Sequence, residues 1–199
     1  MRTLLLLLPA FALLAAPAVN KPVTNFKESG SPSAPITLEL FTDYQCPSCR
    51  MFYQDVLPQI VAQYVKTGKV RLIHRDYPLP MHAFSRIATK FANAAGQLGL
   101  YDTVAAQIFK TQPEWEQNGN IDGQLSKVLS PADLEKIKSI MKTDTHLDDS
   151  VTKDVAMGNQ DHLSQTPTIV IVANGKREVI GGGVPYPILK QYLNQKLGK

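Results

Sequence analysis

The sequence predicts an α/β fold in which a βαβ half and a ββα half are separated by a helical insertion. Three observations carry this reading. A strand-length apolar run, Ile36 to Thr42, is followed by a helical pattern and then by Val70 to Ile73, the order of a parallel βαβ unit. Residues from about 81 to 163 keep a helical period. Strand character returns at Thr168 to Val172, and Asn174-Gly175 leads into a second run from Lys176 to Ile180, a strong hairpin signal.

The chain begins with one cation, Arg2, an apolar stretch from Thr3 to Ala16, and Ala16-Pro17-Ala18. A positive residue, a short apolar run and a small-x-small site are the pattern of a secretory signal peptide, expected here at 1–18. The run is short for a bilayer and has no cationic stop, which argues against a retained anchor. The mature chain then starts near Val19, in an oxidising compartment. Residues 19–35 carry Pro, Ser, Gly and Lys without periodicity and are expected to form an extended arm. The domain itself is expected at 36–199.

After Asp43 a helix is expected from Cys46 to about Lys66, with Phe52, Val56, Ile60 and Tyr64 on one face. Pro58 lies inside it and should kink it. Thr67-Gly68-Lys69 ends it. Within the insertion, Ile87 and Phe91, then Tyr101, Val104, Ala105 and Ile108, then Ile121, Leu125, Val128 and Leu129 outline successive helices. Ser130 caps another, with Pro131 in its first position and Asp133 completing a capping-box-like pair. Leu147, Val151, Val155 and Gly158 outline the last. Gly181-Gly182-Gly183 is a loop, and a final helix is expected around Tyr186 to Leu197.

With 199 residues, the chain suits one domain with a substantial core. Hydrophobic residues at 44% and charged residues at 19% exclude a disordered chain. Two cysteines exclude a disulfide-dense scaffold, a four-cysteine iron–sulfur cluster and an all-cysteine zinc site. The formal charge of +4 is scattered rather than gathered in a stripe, so no nucleic-acid partner is expected.

Chemistry concentrates at Cys46-Pro47-Ser48-Cys49, where a strand hands over to a helix. Cys46 would cap the helix and Pro47 would take the first position, which favours proline. The Cys46 sulfur then meets free amide hydrogens and the positive end of the helix dipole, which favour thiolate. Cys49 lies on the same side of the first turn and can close a disulfide with it. Cys46 attacks and Cys49 resolves the mixed disulfide. A purely structural disulfide is the first alternative, but so small a loop stabilises by only about 2 kcal/mol. A metal site with two of His74, His82, His146 and His162 is the second; His74 and His82 miss zinc-finger spacing and no second paired-ligand motif exists. No metal is expected.

Thr166-Pro167 stands immediately before the third strand, where proline cannot donate a ladder hydrogen bond. Together with Phe41-Thr42-Asp43-Tyr44-Gln45-Cys46-Pro47-Ser48-Cys49, Tyr64, Thr67 to Arg71, Arg75 to Leu79, His82, Thr168 and Asn174-Gly175, it resembles the DsbA-like thiol:disulfide oxidoreductases of the thioredoxin superfamily. The resemblance runs from about Ile36 to Leu197. It implies a thioredoxin-like fold with a helical insertion and a cis Pro167 packed beside the cysteines, with Pro47, Ser48 and Pro167 supporting the active site. It also implies a backbone at Thr166 that pairs with substrate peptide.

Three departures bear on mechanism. Many relatives carry a buried glutamate six residues before the first cysteine, and Leu40 stands there; Glu39 alternates to the opposite face and is expected in an ion pair with a helix lysine or arginine. Gln165 replaces a glycine frequent before Thr-Pro. Ser48 replaces the histidine of the strong oxidases and supplies no charge. Asp43 is expected to oppose a Cys46 thiolate if close, or to shape the turn. His82 is expected to make a local structural bond. Trp115, with Pro113 and Tyr101, is either a substrate-facing patch or core. Lys190 to Lys199 reads as a solvated face.

The expected function is exported disulfide exchange with cysteine-containing proteins, as an oxidase, in the periplasm or outside the cell. It would need no cofactor beyond the Cys46–Cys49 disulfide. A membrane redox partner is expected, and a monomer, because the arm before Ile36 leaves no room for a dimerisation domain. The alternatives are a reductase or isomerase of the same fold, and a non-catalytic peptide-binding module whose disulfide stays closed.

Overall fold

Ile36 to Leu40 alternates apolar and polar residues, yet both faces of the strand are covered: every residue from Ile36 to Thr42 but Thr37 is buried. This strand is the centre of the sheet in the computed structural model, which describes residues 25–198. The leader expected at 1–18 and the first residues of the arm lie outside the described residues. The strands are β1 (Glu28–Ser29), β2 (Ile36–Thr42), β3 (Val70–Asp76), β4 (Thr168–Ala173) and β5 (Lys176–Gly181). They lie in the order β1-β3-β2-β4-β5, with β2 parallel to β3 and the other pairs antiparallel. The β4–β5 turn has φ of 51° at Asn174 and 74° at Gly175, the two positive values that a twisted two-residue hairpin needs.

The helical run after β2 has four parts: α1 (Pro47–Met51), a π turn at Phe52–Val56, α2 (Leu57–Ile60) and a second π turn at Val61–Val65. Where a kink at Pro58 was expected, the Leu57 N–H reaches back to the Phe52 carbonyl, a π turn. Pro58 then falls in the first turn of α2, where a missing N–H costs little. The insertion holds α3 (Ser85–Gln97), α4 (Tyr101–Lys110), α5 (Gln112–Trp115), α6 (Ile121–Leu125), α7 (Pro131–Thr143) and α8 (His146–Gln160). Ser130 caps α7 as its sequence requires, its Oγ accepting from the Asp133 N–H at 3.1 Å and donating to Asp133 Oδ2 at 2.7 Å. α9 (Tyr186–Lys196) closes the chain. Among the described residues, no helix is long and apolar enough to cross a membrane.

Phe52, Ile60 and Tyr64 pack beneath Leu38, Leu40, Leu72, Ile169 and Ile171, with Leu189 and Leu193 of α9. The Tyr64 hydroxyl, donating to Asn194 Oδ1 at 2.8 Å, ties this layer to α9. The insertion has its own core, from Ala88 and Phe91 through Ile108 and Trp115 to Leu147, and that core also contains Tyr44, Cys46 and Cys49. The cysteines therefore sit in the seam between the sheet half and the insertion.

Part of the segment expected as an extended arm pairs into the sheet. β1 pairs with β3, and Lys27 beside it is half-buried, its ammonium bridging Asp76 and Asp154. Asn93 donates to Asp76 at 2.8 Å, and Arg75 spans Asp154 at 3.1 Å and Glu39 at 2.6 Å. Arg177 closes on the other Glu39 oxygen at 2.7 Å. Glu39 is thus in a buried ion pair, but with arginines of β3 and β5 in place of the helix cation expected. At the C-terminal face, Lys196 is not merely solvated: it meets Glu178 at 2.6 Å.

Candidate active site

Cys46 is the N-cap of α1, in extended conformation (φ −78°, ψ 121°), and Pro47 follows at the first helical position. The first turn brings Cys49 back beneath Cys46. Cys46 is 8% exposed and Cys49 fully buried, both as free thiols. Cys46 Sγ donates to the Thr166 carbonyl at 3.4 Å. The Thr166–Pro167 bond is cis, and Pro167 immediately precedes β4.

The two thiols are pushed in opposite directions. A hydrogen bond from the Cys49 thiol is the largest influence on Cys46. Burial opposes it, and the Thr166 side chain with the Cys49 and Ser48 amides adds to it, leaving the Cys46 thiol lowered to about 5. Cys49 is pushed well up, first by burial and then by its bond to Cys46. Helix amides were expected to dominate; they contribute, but the partner thiol contributes more. The Thr166 hydroxyl is buried and makes no hydrogen bond of ordinary geometry.

Asp43, beside these thiols, is fully buried. Its Oδ1 accepts from the Gln45 N–H at 2.7 Å; Oδ2 accepts from the Leu79 N–H and His82 Nδ1, each at 2.7 Å. The expected push against a Cys46 thiolate is not among the influences that set that thiol. Asp43 does form the expected turn; in place of the local bond expected of it, His82 reaches Asp43, 39 positions back along the chain.

Two contacts had no signal in the sequence. Gln112 Nε2 donates to the carbonyls of Tyr44 at 2.6 Å and Cys46 at 3.1 Å. Gln45 accepts from Phe84 N–H and donates to the Glu116 carbonyl, both at 2.8 Å. Both clamp the approach to Cys46 onto the insertion, and both rest on partners far along the chain. Trp115 is fully buried, its indole N–H donating to the Ile108 carbonyl at 2.8 Å, and Tyr101 is 5% exposed. They are core, not a substrate patch. Glu39 pairs away from the sulfurs. A cavity of about 220 Å³ opens beside Ser48, lined by Met51, Phe52, Asp55, Val56 and Gly183. Among the described residues, no group of three or more His, Cys, Asp or Glu is placed to hold a metal ion.

A mixed five-stranded sheet, a dithiol capping the helix after its central strand, and a cis-proline facing that dithiol define a thioredoxin-like protein. A family model described as thioredoxin matches residues 26–178, and the chain belongs to that family. Disulfide bond formation protein D of Bacillus subtilis is 27% identical over 176 residues, covering 84% of this chain and 75% of that protein. The crystal structure of Wolbachia pipientis alpha-DsbA1 superposes with a TM-score of 0.74 at 22% identity, over 89% of this chain and 94% of that one. Oxidised BdbD from Bacillus subtilis superposes with a TM-score of 0.72 at 24% identity, over 90% and 97%. These two structures bear out the fold, helical insertion included.

Proposed function

We propose that this chain is an exported protein disulfide oxidoreductase that works as an oxidase, passing the Cys46–Cys49 disulfide to cysteine-containing exported proteins. The observation that carries the reading is the opposed pair of thiols: a capping Cys46 lowered to about 5 over a buried Cys49 pushed well up. A stabilised thiolate makes the reduced enzyme the favoured product, which is what an oxidant requires.

In the forward reaction a client thiolate attacks Cys46 Sγ. A client–Cys46 disulfide forms and Cys49 leaves as thiolate, taking up a proton. A second client thiolate attacks the client sulfur of that bond, closing the client disulfide and releasing Cys46 as thiolate. The client loses two electrons and the enzyme gains them. Nothing but the cysteine pair is needed as cofactor. The Thr166 carbonyl beside Cys46 suits pairing with the backbone of an extended client segment, and the cavity beside Ser48 suits one of its side chains. Pro47, Ser48 and Pro167 shape the surface around the attacked sulfur.

Export after cleavage near Ala18, a membrane partner that reoxidises the pair, and action as a monomer complete the reading. The name of the Bacillus subtilis relative, a disulfide bond formation protein, supports oxidation over reduction. The test is refolding of a reduced, cysteine-containing client beside an insulin-reduction assay. Faster oxidative refolding is expected. Insulin reduction alone points to a reductase or isomerase, and activity in neither points to a peptide-binding module. Cys49→Ser should retain clients as mixed disulfides, and Cys46→Ser should retain few or none.

A further inference from the structure

Asp43 divides its polar atoms among the two cysteines, the Gln45 amide and the segment that follows β3. Its N–H donates to Cys49 Sγ at 3.4 Å, and its carbonyl accepts from the Cys46 N–H at 3.1 Å. Its carboxylate holds Gln45 N–H on one oxygen and Leu79 N–H with His82 Nδ1 on the other. A turn alone would account for the Gln45 bond. It does not account for Oδ2, whose partners lie 36 and 39 residues away. A carboxylate this buried is tolerable only with such donors, and together they fix the peptide plane that faces Cys49.

Resting on the proposed disulfide exchange, we propose that Asp43 is a positioning residue for its resolving step: the clamped carboxylate holds the Asp43 N–H on Cys49 Sγ. An N–H donated to sulfur favours the thiolate, the form that attacks. Cys49 needs this help because burial pushes its thiol up; among the influences that pull it down, the Asp43 N–H is the largest. His82 completes the clamp from the solvent side and acts through Asp43, not on the sulfurs.

The step can be isolated with oxidised glutathione. The Cys46 thiolate attacks one glutathione sulfur, forming a Cys46–glutathione disulfide and expelling one glutathione thiolate. Cys49 then gives its proton to solvent and attacks Cys46 Sγ. The Cys46–Cys49 bond forms and the second glutathione thiolate leaves. Two enzyme thiols are oxidised, and one glutathione disulfide becomes two thiols.

The experiment mixes the reduced full chain with oxidised glutathione, quenches with acid and counts the species by mass. In Asp43→Asn the side-chain N–H₂ opposes one of the three donors, so the clamp opens. Losing a hydrogen bond to a developing thiolate is worth roughly tenfold or more in rate. Asp43→Asn is therefore expected to resolve about tenfold slower and accumulate glutathionylated Cys46, while the first attack stays within about twofold. His82→Gln, which keeps a donor, should be milder than His82→Ala. Resolution unchanged in Asp43→Asn, or both steps slowed equally, would overturn the proposal, the second outcome marking a merely structural residue. If Asp43→Asn shows no cooperative melt, the His82 pair decides by the same partition between steps. A wild-type chain that resolves glutathione yet oxidises no protein client would defeat the proposed function and leave this inference standing.

Discussion

Cys46 Sγ and the carbonyl oxygen of Thr166 stand 3.4 Å apart although 120 positions separate them. The contact joins the βαβ half to the ββα half, a sulfur meeting a backbone carbonyl. It is held from both sides: Pro47 starts α1 under Cys46, and Thr168 Oγ1 donates to the Gln165 carbonyl at 2.8 Å, bracing the loop before β4.

Alkylation of the reduced protein should label Cys46 first, with a rate that rises through an inflection near pH 5, matching the lowered thiol. Cys49, fully buried and pushed well up, should react only after unfolding. Peptide mapping after brief alkylation at pH about 6, where an ordinary thiol is almost wholly protonated, checks the order. Labelling of Cys49 first would reverse the assignment.

The same thiolate links stability to pH in the reduced form alone. Its folded value of about 5 lies below the ordinary 9.0. The folded chain therefore holds fewer protons than the unfolded chain between those limits. The stabilisation is complete above the unfolded value, declines as pH falls, and is gone once pH passes below the folded value. The oxidised form has no such group. Melting temperatures of the two forms, measured from pH 9 down to pH 4.5, should show the reduced form losing ground on acidification. A constant difference across that range would refute the linkage.

His74 should add an acid limit to both forms. Burial first, then the nearby Lys27 ammonium, lower it to about 4 from 6.5. Between these values the unfolded chain binds the extra proton, so stability rises with pH across the window and falls on acidification through it. At about 1.4 kcal/mol per unit, the loss is up to about 3 kcal/mol by pH 4. His74→Phe should flatten that part of the curve in chemical denaturation; an unchanged slope would assign the acid limit elsewhere.

Lys27→Met should destabilise the fold by about 3–5 kcal/mol, because it leaves Asp76 and Asp154 without a cation they share in the interior. Asp76→Asn on top of Lys27→Met should recover part of the loss. Urea denaturation of the four chains of that cycle gives the coupling directly. A Lys27→Met loss below about 1 kcal/mol would place the bridge with ordinary surface pairs.

Such ties mark the limit of reading along the chain. Cys46-Pro47-Ser48-Cys49 and Asn174-Gly175 carry their geometry in neighbouring residues, so capping and hairpin rules reach them. β1 has two residues and no period, and its place is set by pairing with Leu72 and Ile73. Glu39 was legible as an ion-pair residue, but its partners on β3 and β5 depend on sheet order. Asp43 was legible as a turn residue; its hold on Leu79 and His82 needs the folded loop. Periodicity found the face of Phe52, Ile60 and Tyr64, yet the π turns around Pro58 come from a backbone adjustment that spacing does not encode.

Redox strength follows from how far the reduced form is stabilised. Thiol values of about 7 in thioredoxin and about 3.5 in DsbA go with potentials of about −270 and −120 mV. A Cys46 thiol at about 5 lies between them, so the potential of this protein should fall inside that interval. The stabilisation here comes from the Cys49 thiol, the Thr166 side chain and two backbone amides, none of which carries positive charge. Ser48 is half-buried beside the attacked sulfur, so Ser48→His would bring an ionisable cation to a thiolate that has none. The Cys46 thiol should drop further and the potential should become less negative by about 30 mV or more, the equivalent of about 1.4 kcal/mol for a two-electron couple. Equilibration of both chains against glutathione buffers, with thiol trapping and mass analysis, measures the shift. A wild-type potential outside the interval, or no displacement in Ser48→His, would show that local charge at the helix N-terminus does not set the strength of this pair.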